Sequence, residues 1–241
     1  MVPTYPLAQP ALVNGLQTQG FAWAPGDVMA TWLQASASSW LEFKTFWTRL
    51  TPDQHMGDGG RYRLRRYGRC LCNRATGLHP LPHGPYQQSL AVNPLNGGVA
   101  RHFDPLEPEF MAHPLLQNLL LGLVTTLDAL KTGPATWQVD LHPYRILAQG
   151  DTPGKPSPEG LHRDGVDYIV SLLVHRQNVE GGTTTLTDAN ARPLTRRTLL
   201  EPMDLVLADD LACRHEVSPV LAIDTSRPGF RDVLVLAFTR Q

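Results

Sequence analysis

Residues 160–186 read GLHRDGVDYIVSLLVHRQNVEGGTTTL, and the fold turns on how this stretch is read. His162-Arg163-Asp164 stands at the mouth of an apolar run from Tyr168 to Val174. Residues two apart on a strand project to the same side. A strand-borne His162/Asp164 pair therefore offers an imidazole nitrogen and a carboxylate oxygen to one point. That is two thirds of the 2-His-1-carboxylate set, which grips non-haem Fe(II) on one face and leaves the other face open. A third ligand has to come from another strand, and His215 is the residue expected to supply it.

His215 lies in Cys213-Arg214-His215-Glu216-Val217, an alternating segment after the turn-like Ala208-Asp209-Asp210. Cys213, His215 and Val217 share one side there. An inward imidazole can equally be a core histidine with one bonded nitrogen. The His-x-Asp pattern is weak by itself. Nine His and 22 acidic residues give about one chance match, and the chain has a second in His102-Phe103-Asp104. That second pair sits in a turn-rich stretch beside Pro105, without a strand to align it, and is set aside.

Downstream of residue 160 the pattern is all-β, with strands expected at 166–174, 182–188, 197–200, 204–208, 213–221 and 231–239. Short strands at near-regular spacing with turns between them indicate a sandwich or jelly roll. Upstream, Asp27 is placed as the N-cap of a helix carrying Met29, Trp32, Leu33, Trp40, Phe43, Phe46 and Trp47 at helical spacing, the tryptophans being core residues. A second helix is expected over 105–132, strongest from Leu115 to Leu130 and stopped at Gly133-Pro134. Between the helices, residues 61–74 read as a strand. The basic run RYRLRRYGR, Arg61 to Arg69, is taken as its wet face. A further strand is expected over 137–147, with Trp137, Val139 and Leu141 on one side and Pro143 marking an edge or a bend. Residues 1–24, with Pro3, Pro6 and Pro10, read as an arm lying on the body. The whole, 1–241, is expected to be one domain, mainly β with flanking helices, residues 1–50 forming an arm and helix packed on the barrel.

The bulk numbers exclude several functions. Net charge is −1 over 241 residues, which provides no field for nucleic acid or an anionic membrane. The apolar stretch at Leu115–Leu130 is broken by Gln117, Asn118, Thr125, Thr126 and Asp128 and is too polar to span a bilayer. Three cysteines, Cys70, Cys72 and Cys213, do not form a disulfide framework. No basic segment followed by an apolar core opens the chain, so no export signal is expected and a cytoplasmic location is.

Arg231 leads the last strand, where Arg231, Val233, Val235 and Ala237 share a face, and burying it without an anion would be costly. The alternative anion partner is Arg227, four residues earlier in a loop.

The segments HRDGVDYI, NVEGGTTTLTD, HEVSPV and GFRDVLVLAF, in that order, resemble the bacterial Fe(II)/2-oxoglutarate-dependent dioxygenases that hydroxylate free aliphatic amino acids, the isoleucine-dioxygenase-like group. LPHGPYQQS and NPLNGGVARHFDPLEP resemble that group's N-terminal half, so the likeness spans roughly residues 60–240. It implies a double-stranded β-helix (jelly roll, cupin-like) and His162, Asp164 and His215 as iron ligands. It implies Arg231 as the anchor of the distal 2-oxoglutarate carboxylate. The cofactors implied are Fe(II), 2-oxoglutarate and O2, with hydroxylation or sulfoxidation of a small free amino acid. The departure from the pattern is Leu211-Ala212-Cys213-Arg214 before the second histidine, where more polar residues are expected. By position near strand ends, Arg145, Tyr144, Arg101 and Asp210 are candidate substrate contacts; Tyr168 and Ser171 are read as packing residues. The alternative function is a binding protein of the same barrel, retaining metal or 2-oxoglutarate in stress response or signalling without turnover.

Overall fold

A computed structural model describes residues 8–93, 95–130 and 133–241. Pro3 and Pro6, and the last two residues of the helix expected over 105–132, lie outside the described residues.

The long apolar strands form the backbone of the fold. Gly229–Arg240 pairs along its whole length with Trp137–Ala148 on one side and with Tyr168–Gln177 on the other. Leu205–Asp209 and then Phe21–Ala24 extend the sheet on the Tyr168–Gln177 side. Arg63–Arg65 and Gly68–Asn73 extend it beyond Trp137–Ala148. The opposite wall is built from Pro193–Thr198, Thr183–Thr187 and Arg214–Val217, together with the pair Val179–Gly181 and Val220–Ala222. Every ladder is antiparallel, and the two walls make a double-stranded β-helix with helices on its outer face.

Strand alternation sorts the side chains. Leu234, Leu236 and Phe238, with Val170, Leu172, Val139 and Leu141, face the helices and join the main core cluster. Fully burying a side chain of this size contributes roughly 1.5–3 kcal/mol, so these strands hold the helical layer firmly. The helix Pro114–Leu130 supplies Leu116, Leu120, Leu123 and Leu127 to the same cluster. Its Gly122 is required by contact: a Cβ there would lie 2.6 Å from the Trp32 ring. The indole of Trp47 donates to the carbonyls of Tyr144, at 3.0 Å, and Val233, at 3.2 Å. The helical layer is thereby tied to the two strands whose inner faces line the functional cavity.

Several expectations need correction. Residues 8–19 are a helix and Phe21–Ala24 is a strand of the main sheet, so this part is integral and not an arm. The first long helix is broken into Gly26–Leu33, Ala37–Lys44 and a 3-10 turn at Thr45–Arg49. Gln34 in the left-handed conformation ends the first piece, and Ser36 caps the second through a reciprocal pair with Ser39. Asp27 sits in the first turn, and the N-cap is Pro25. The second helix divides into Pro108–Ala112 and Pro114–Leu130, because Pro114 cannot continue the earlier turn. Pro143 lies in a strand with neighbours on both sides, and not at the edge of the sheet. On one side it faces Leu234, and on the other it falls in the gap between the Arg63–Arg65 ladder, which ends at Tyr144, and the Gly68–Asn73 ladder, which ends at Leu141. Its missing N–H is thus tolerated in a central strand.

Candidate metal centre and anion pocket

His215 sits on the short strand Arg214–Val217, which pairs with Thr183–Thr187. His162 meets it across an isolated antiparallel bridge. Its N–H donates to the His215 carbonyl at 3.0 Å, and the His215 N–H donates back at 2.9 Å. The two imidazole rings are brought to a centroid separation of 4.4 Å.

Asp164 is not on a strand, contrary to the expectation of a strand-borne pair, since the strand begins at Tyr168. Between the bridge and that strand, the chain is held by the buried carboxylate of Asp210. It accepts the backbone N–H groups of Asp164 at 3.1 Å, Gly165 at 2.7 Å and Val166 at 3.2 Å. The result still brings three donors together. Asp164 Oδ2 lies 3.3 Å from His215 Nε2, Asp164 Oδ1 lies 3.9 Å from His162 Nε2, and ligand atoms of all three lie within 4.8 Å of one another.

The surroundings orient these donors. His162 Nδ1 lies 2.8 Å from the Gly160 carbonyl and donates to it, which leaves the Nε2 lone pair toward Asp164. Gln88 Nε2 donates to Asp164 Oδ1 at 3.4 Å, and Gln88 Oε1 accepts from Arg101 at 2.8 Å. Burial pushes the Asp164 carboxyl upward, but the bond to His215 and the charges of His215 and His162 overcome it and hold Asp164 well below the usual carboxylate range. The same pairing raises His215 against the opposing effect of burial. Two imidazole nitrogens and one ionised carboxylate are a suitable set for Fe(II), and three protein donors leave sites open for other ligands.

The cavity beside them is lined by Tyr144, Ser171, Val217, Val233, Val235 and Arg231. Arg231 is only 2% exposed, yet its Nε and Nη2 have no hydrogen-bond acceptor among the described residues. Burial, with the nearby charge of Arg176, lowers its guanidinium to about 10. A buried cation without a protein acceptor, lining a cavity, is suited to pair with an anion. Arg227, the alternative, is exposed and already paired with Asp224 at 2.7 Å.

The remaining candidates separate clearly. Tyr144 lines the cavity. Arg145, the next residue, points to the opposite face, where it makes two 2.7 Å bonds to Asp232 and lies 4.2 Å from the Phe230 ring centroid. Arg101 is buried behind Gln88 and stacks on Tyr86, away from the cavity lining. Asp210 spends both carboxylate oxygens on backbone N–H groups. Ser171 lines the cavity, whereas Tyr168 packs against Trp137 on the helical side. His102 and Asp104 are exposed and take no part.

The basic run Arg61–Arg69 is not a uniformly wet face, although Arg61 is exposed. Arg63 and Arg65 project inward and are buried. Arg63 binds Asp53 through Nε at 2.8 Å, and Arg65 Nη2 bonds His142 Nδ1 at 2.6 Å. The alternation Arg63-Leu64-Arg65 was visible, but Leu64 packs toward the helices and so fixes the arginines inside. Glu159, within the quoted stretch's N-terminal flank, was also missed; it lines the same cavity.

Comparison with known proteins agrees with this geometry. The family model described as 2OG-Fe dioxygenase matches residues 44–237. A 3(1)-hydroxy-L-isoleucine 4-dioxygenase of Pantoea ananatis (strain AJ13355) is 29% identical over 236 residues, 93% of this chain and 94% of that protein. An L-isoleucine-4-hydroxylase of Bacillus thuringiensis is 29% identical over 159 residues, 64% of this chain and 65% of that protein. The crystal structure of a bsmA homolog from Methylobium petroleophilum PM1 superposes with a TM-score of 0.88 at 34% identity, covering 97% of this chain and 94% of the other. The cofactors of such enzymes are Fe(II), 2-oxoglutarate and O2, and the convergent His-Asp-His set is able to hold a metal ion. The chain belongs to the 2OG-Fe dioxygenase family and is a 2-oxoglutarate-dependent dioxygenase.

Proposed function

We propose that this dioxygenase oxidises a small free aliphatic amino acid, as the names of its isoleucine-oxidising relatives suggest. The product is a hydroxy amino acid, or a sulfoxide when the side chain carries a thioether. His162 Nε2, His215 Nε2 and an Asp164 oxygen hold the iron, and Arg231 binds the distal carboxylate of 2-oxoglutarate. The carrying observation is the buried Arg231 guanidinium, without a protein acceptor, lining the same cavity as the three convergent donors.

When bound, the metal and 2-oxoglutarate supply oxidative decarboxylation to succinate and CO2, coupled to C–H oxidation of the substrate. The chain's own residues do the rest. Gly160 and Asp164 set the His162 and His215 rings, and Asp210 holds the Asp164 backbone. Arg231 fixes the co-substrate's far end, while Val217, Val233 and Val235 limit water at the cavity wall. No protein base is needed, because the hydrogen that leaves carbon is not removed as a proton.

The three cysteines are buried and unpaired, which supports a reducing, cytoplasmic location. Among the described residues no helix is long and apolar enough to cross a membrane.

The test is succinate formation on adding Fe(II), 2-oxoglutarate and each of a panel of free L-amino acids. Succinate should form with at least one aliphatic member, and His215→Ala and Asp164→Ala should each abolish it. A mutant that consumes 2-oxoglutarate at the wild-type rate removes that ligand assignment. Tight 2-oxoglutarate binding without succinate for any member would mark a binding protein instead.

A further inference from the structure

Beyond the triad and Arg231, the same cavity carries a second pair of charges. Glu159 and Arg63 both line it, alongside the apolar Ile146 and Pro156. The Glu159 side chain is 11% exposed, and its Oε2 is buried without a donor among the described residues. Its Oε1 lies 3.6 Å from His162 Nε2. As an iron ligand that nitrogen carries no proton to give, so the contact does not satisfy the carboxylate. A buried carboxylate with no donor is costly and calls for a cation.

Arg63 is the complementary half. Asp53 occupies its Nε–Nη2 edge, with contacts of 2.8 and 2.7 Å to one carboxylate oxygen. Nη1 is left with no ion pair or hydrogen bond among the described residues. The Arg63 guanidinium carbon lies over the Tyr144 ring, 5.4 Å from its centroid. Arg231 is needed for the co-substrate, so Arg63 and Glu159 serve a different molecule. A ligand that needs one cationic and one anionic partner, with apolar surface beside them, is an aliphatic zwitterion.

We propose that Glu159 and Arg63 form an α-amino acid clamp, the Glu159 carboxylate receiving the substrate ammonium and Arg63 Nη1 the substrate carboxylate. The clamp rests on the reading that the substrate is a free amino acid, and it names the residues that make the enzyme selective for one.

Glu159→Gln keeps the shape and removes the charge. The probes are the aliphatic L-amino acid turned over fastest among valine, leucine, isoleucine and methionine, its des-amino carboxylic acid and its methyl ester. Wild-type enzyme should prefer the amino acid over either analogue by roughly a hundredfold in kcat/KM, the equivalent of one charge-assisted hydrogen bond. In Glu159→Gln the preference over the des-amino acid should fall to a few-fold or less. The preference over the ester should persist, and the dissociation constants of Fe(II) and 2-oxoglutarate, measured by titration, should stay at wild-type values. A variant that keeps the full preference over the des-amino acid overturns the ammonium role. A large loss of Fe(II) affinity makes Glu159 a metal ligand and also overturns it. Wild-type enzyme that accepts the ester as well as the free acid overturns the Arg63 role. Wild-type enzyme that turns over no free amino acid sinks the functional reading and the clamp together, an outcome distinct from the other three.

Discussion

Asp210 accepts the backbone N–H of Asp164 at 3.1 Å, and through its other oxygen those of Gly165 and Val166. A carboxylate from the loop after one strand therefore fixes the residue that a regular strand had been expected to fix. His215 Nδ1 is also 3.9 Å from the Asp210 carboxylate, so one side chain lies beside two of the three proposed iron ligands. Groups that orient metal ligands typically affect affinity by about 10–100-fold. Asp210→Ala should weaken Fe(II) binding by about that factor in a metal titration, and Asp210→Asn, which retains one acceptor oxygen, by less. Unchanged affinity in Asp210→Ala would show that the loop holds its shape without this carboxylate.

Arg231 carries a charge that no hydrogen-bond acceptor among the described residues balances at Nε or Nη2. Arg231→Met removes a buried, unpaired cation, and replacing such a group by an apolar one of similar length is often neutral or stabilising. The melting temperature of Arg231→Met without 2-oxoglutarate should match or exceed that of wild type. Added 2-oxoglutarate should raise the wild-type melting temperature and leave the variant's unmoved, and the variant's 2-oxoglutarate affinity should fall by about a hundredfold or more. Arg227→Ala should leave both quantities unchanged; a loss there would move the anion site to the exposed loop.

Gly182 takes a φ of +72°, and a Cβ at that position would lie 3.0 Å from Arg231 Cδ and 3.2 Å from Nε. Gly182→Ala should therefore both strain the turn and push the guanidinium aside. The expected result is a rise of about tenfold in the KM for 2-oxoglutarate, about 1.4 kcal/mol, with kcat at saturating 2-oxoglutarate little altered. An unchanged KM would mean that Arg231 adapts without cost.

Asp232 is fully buried, and burial raises its carboxyl to about 6 from 3.8 despite the bonds from Arg145. The folded state then keeps a proton that the unfolded chain has released over that interval. Its contribution to stability is greatest below the unfolded value and is lost as pH rises through about 6, a change on the order of 3 kcal/mol. Denaturant titrations at a series of pH values should show this decline for wild type and a flatter profile for Asp232→Asn. The same slope in both proteins would assign the pH dependence to other groups.

Much of the barrel was legible because its signal is local. Tyr168–Gln177 and Gly229–Arg240 are long apolar runs whose alternation also places Arg231 beside Val233 and Val235. His162, Asp164 and His215 were legible as residue types at a recurrent spacing, although the assumed mechanism of alignment was not the observed one. Arg63 and Arg65 were read the wrong way round, since alternation says only that two residues share a side. Which side is inner depends on where the helices pack, and that is set by Leu64 and its distant neighbours. Arg145 and Tyr144 illustrate the same limit: adjacent in the chain and both near a strand end, they lie on opposite faces of the sheet.

The amino-acid sequence alone determined the strand pattern, the flanking helices and the small set of residues able to bind iron and an anion, because periodicity and residue chemistry are properties of neighbours in the chain. The tertiary structure alone decided that Asp210 is a loop clamp, that Arg145 belongs to Asp232, and that Glu159 and Arg63 share a cavity with the triad. Those relationships join residues as far apart along the chain as Arg63 and His215, most of them brought together through the register of paired strands, and register is fixed by the packing of the whole core.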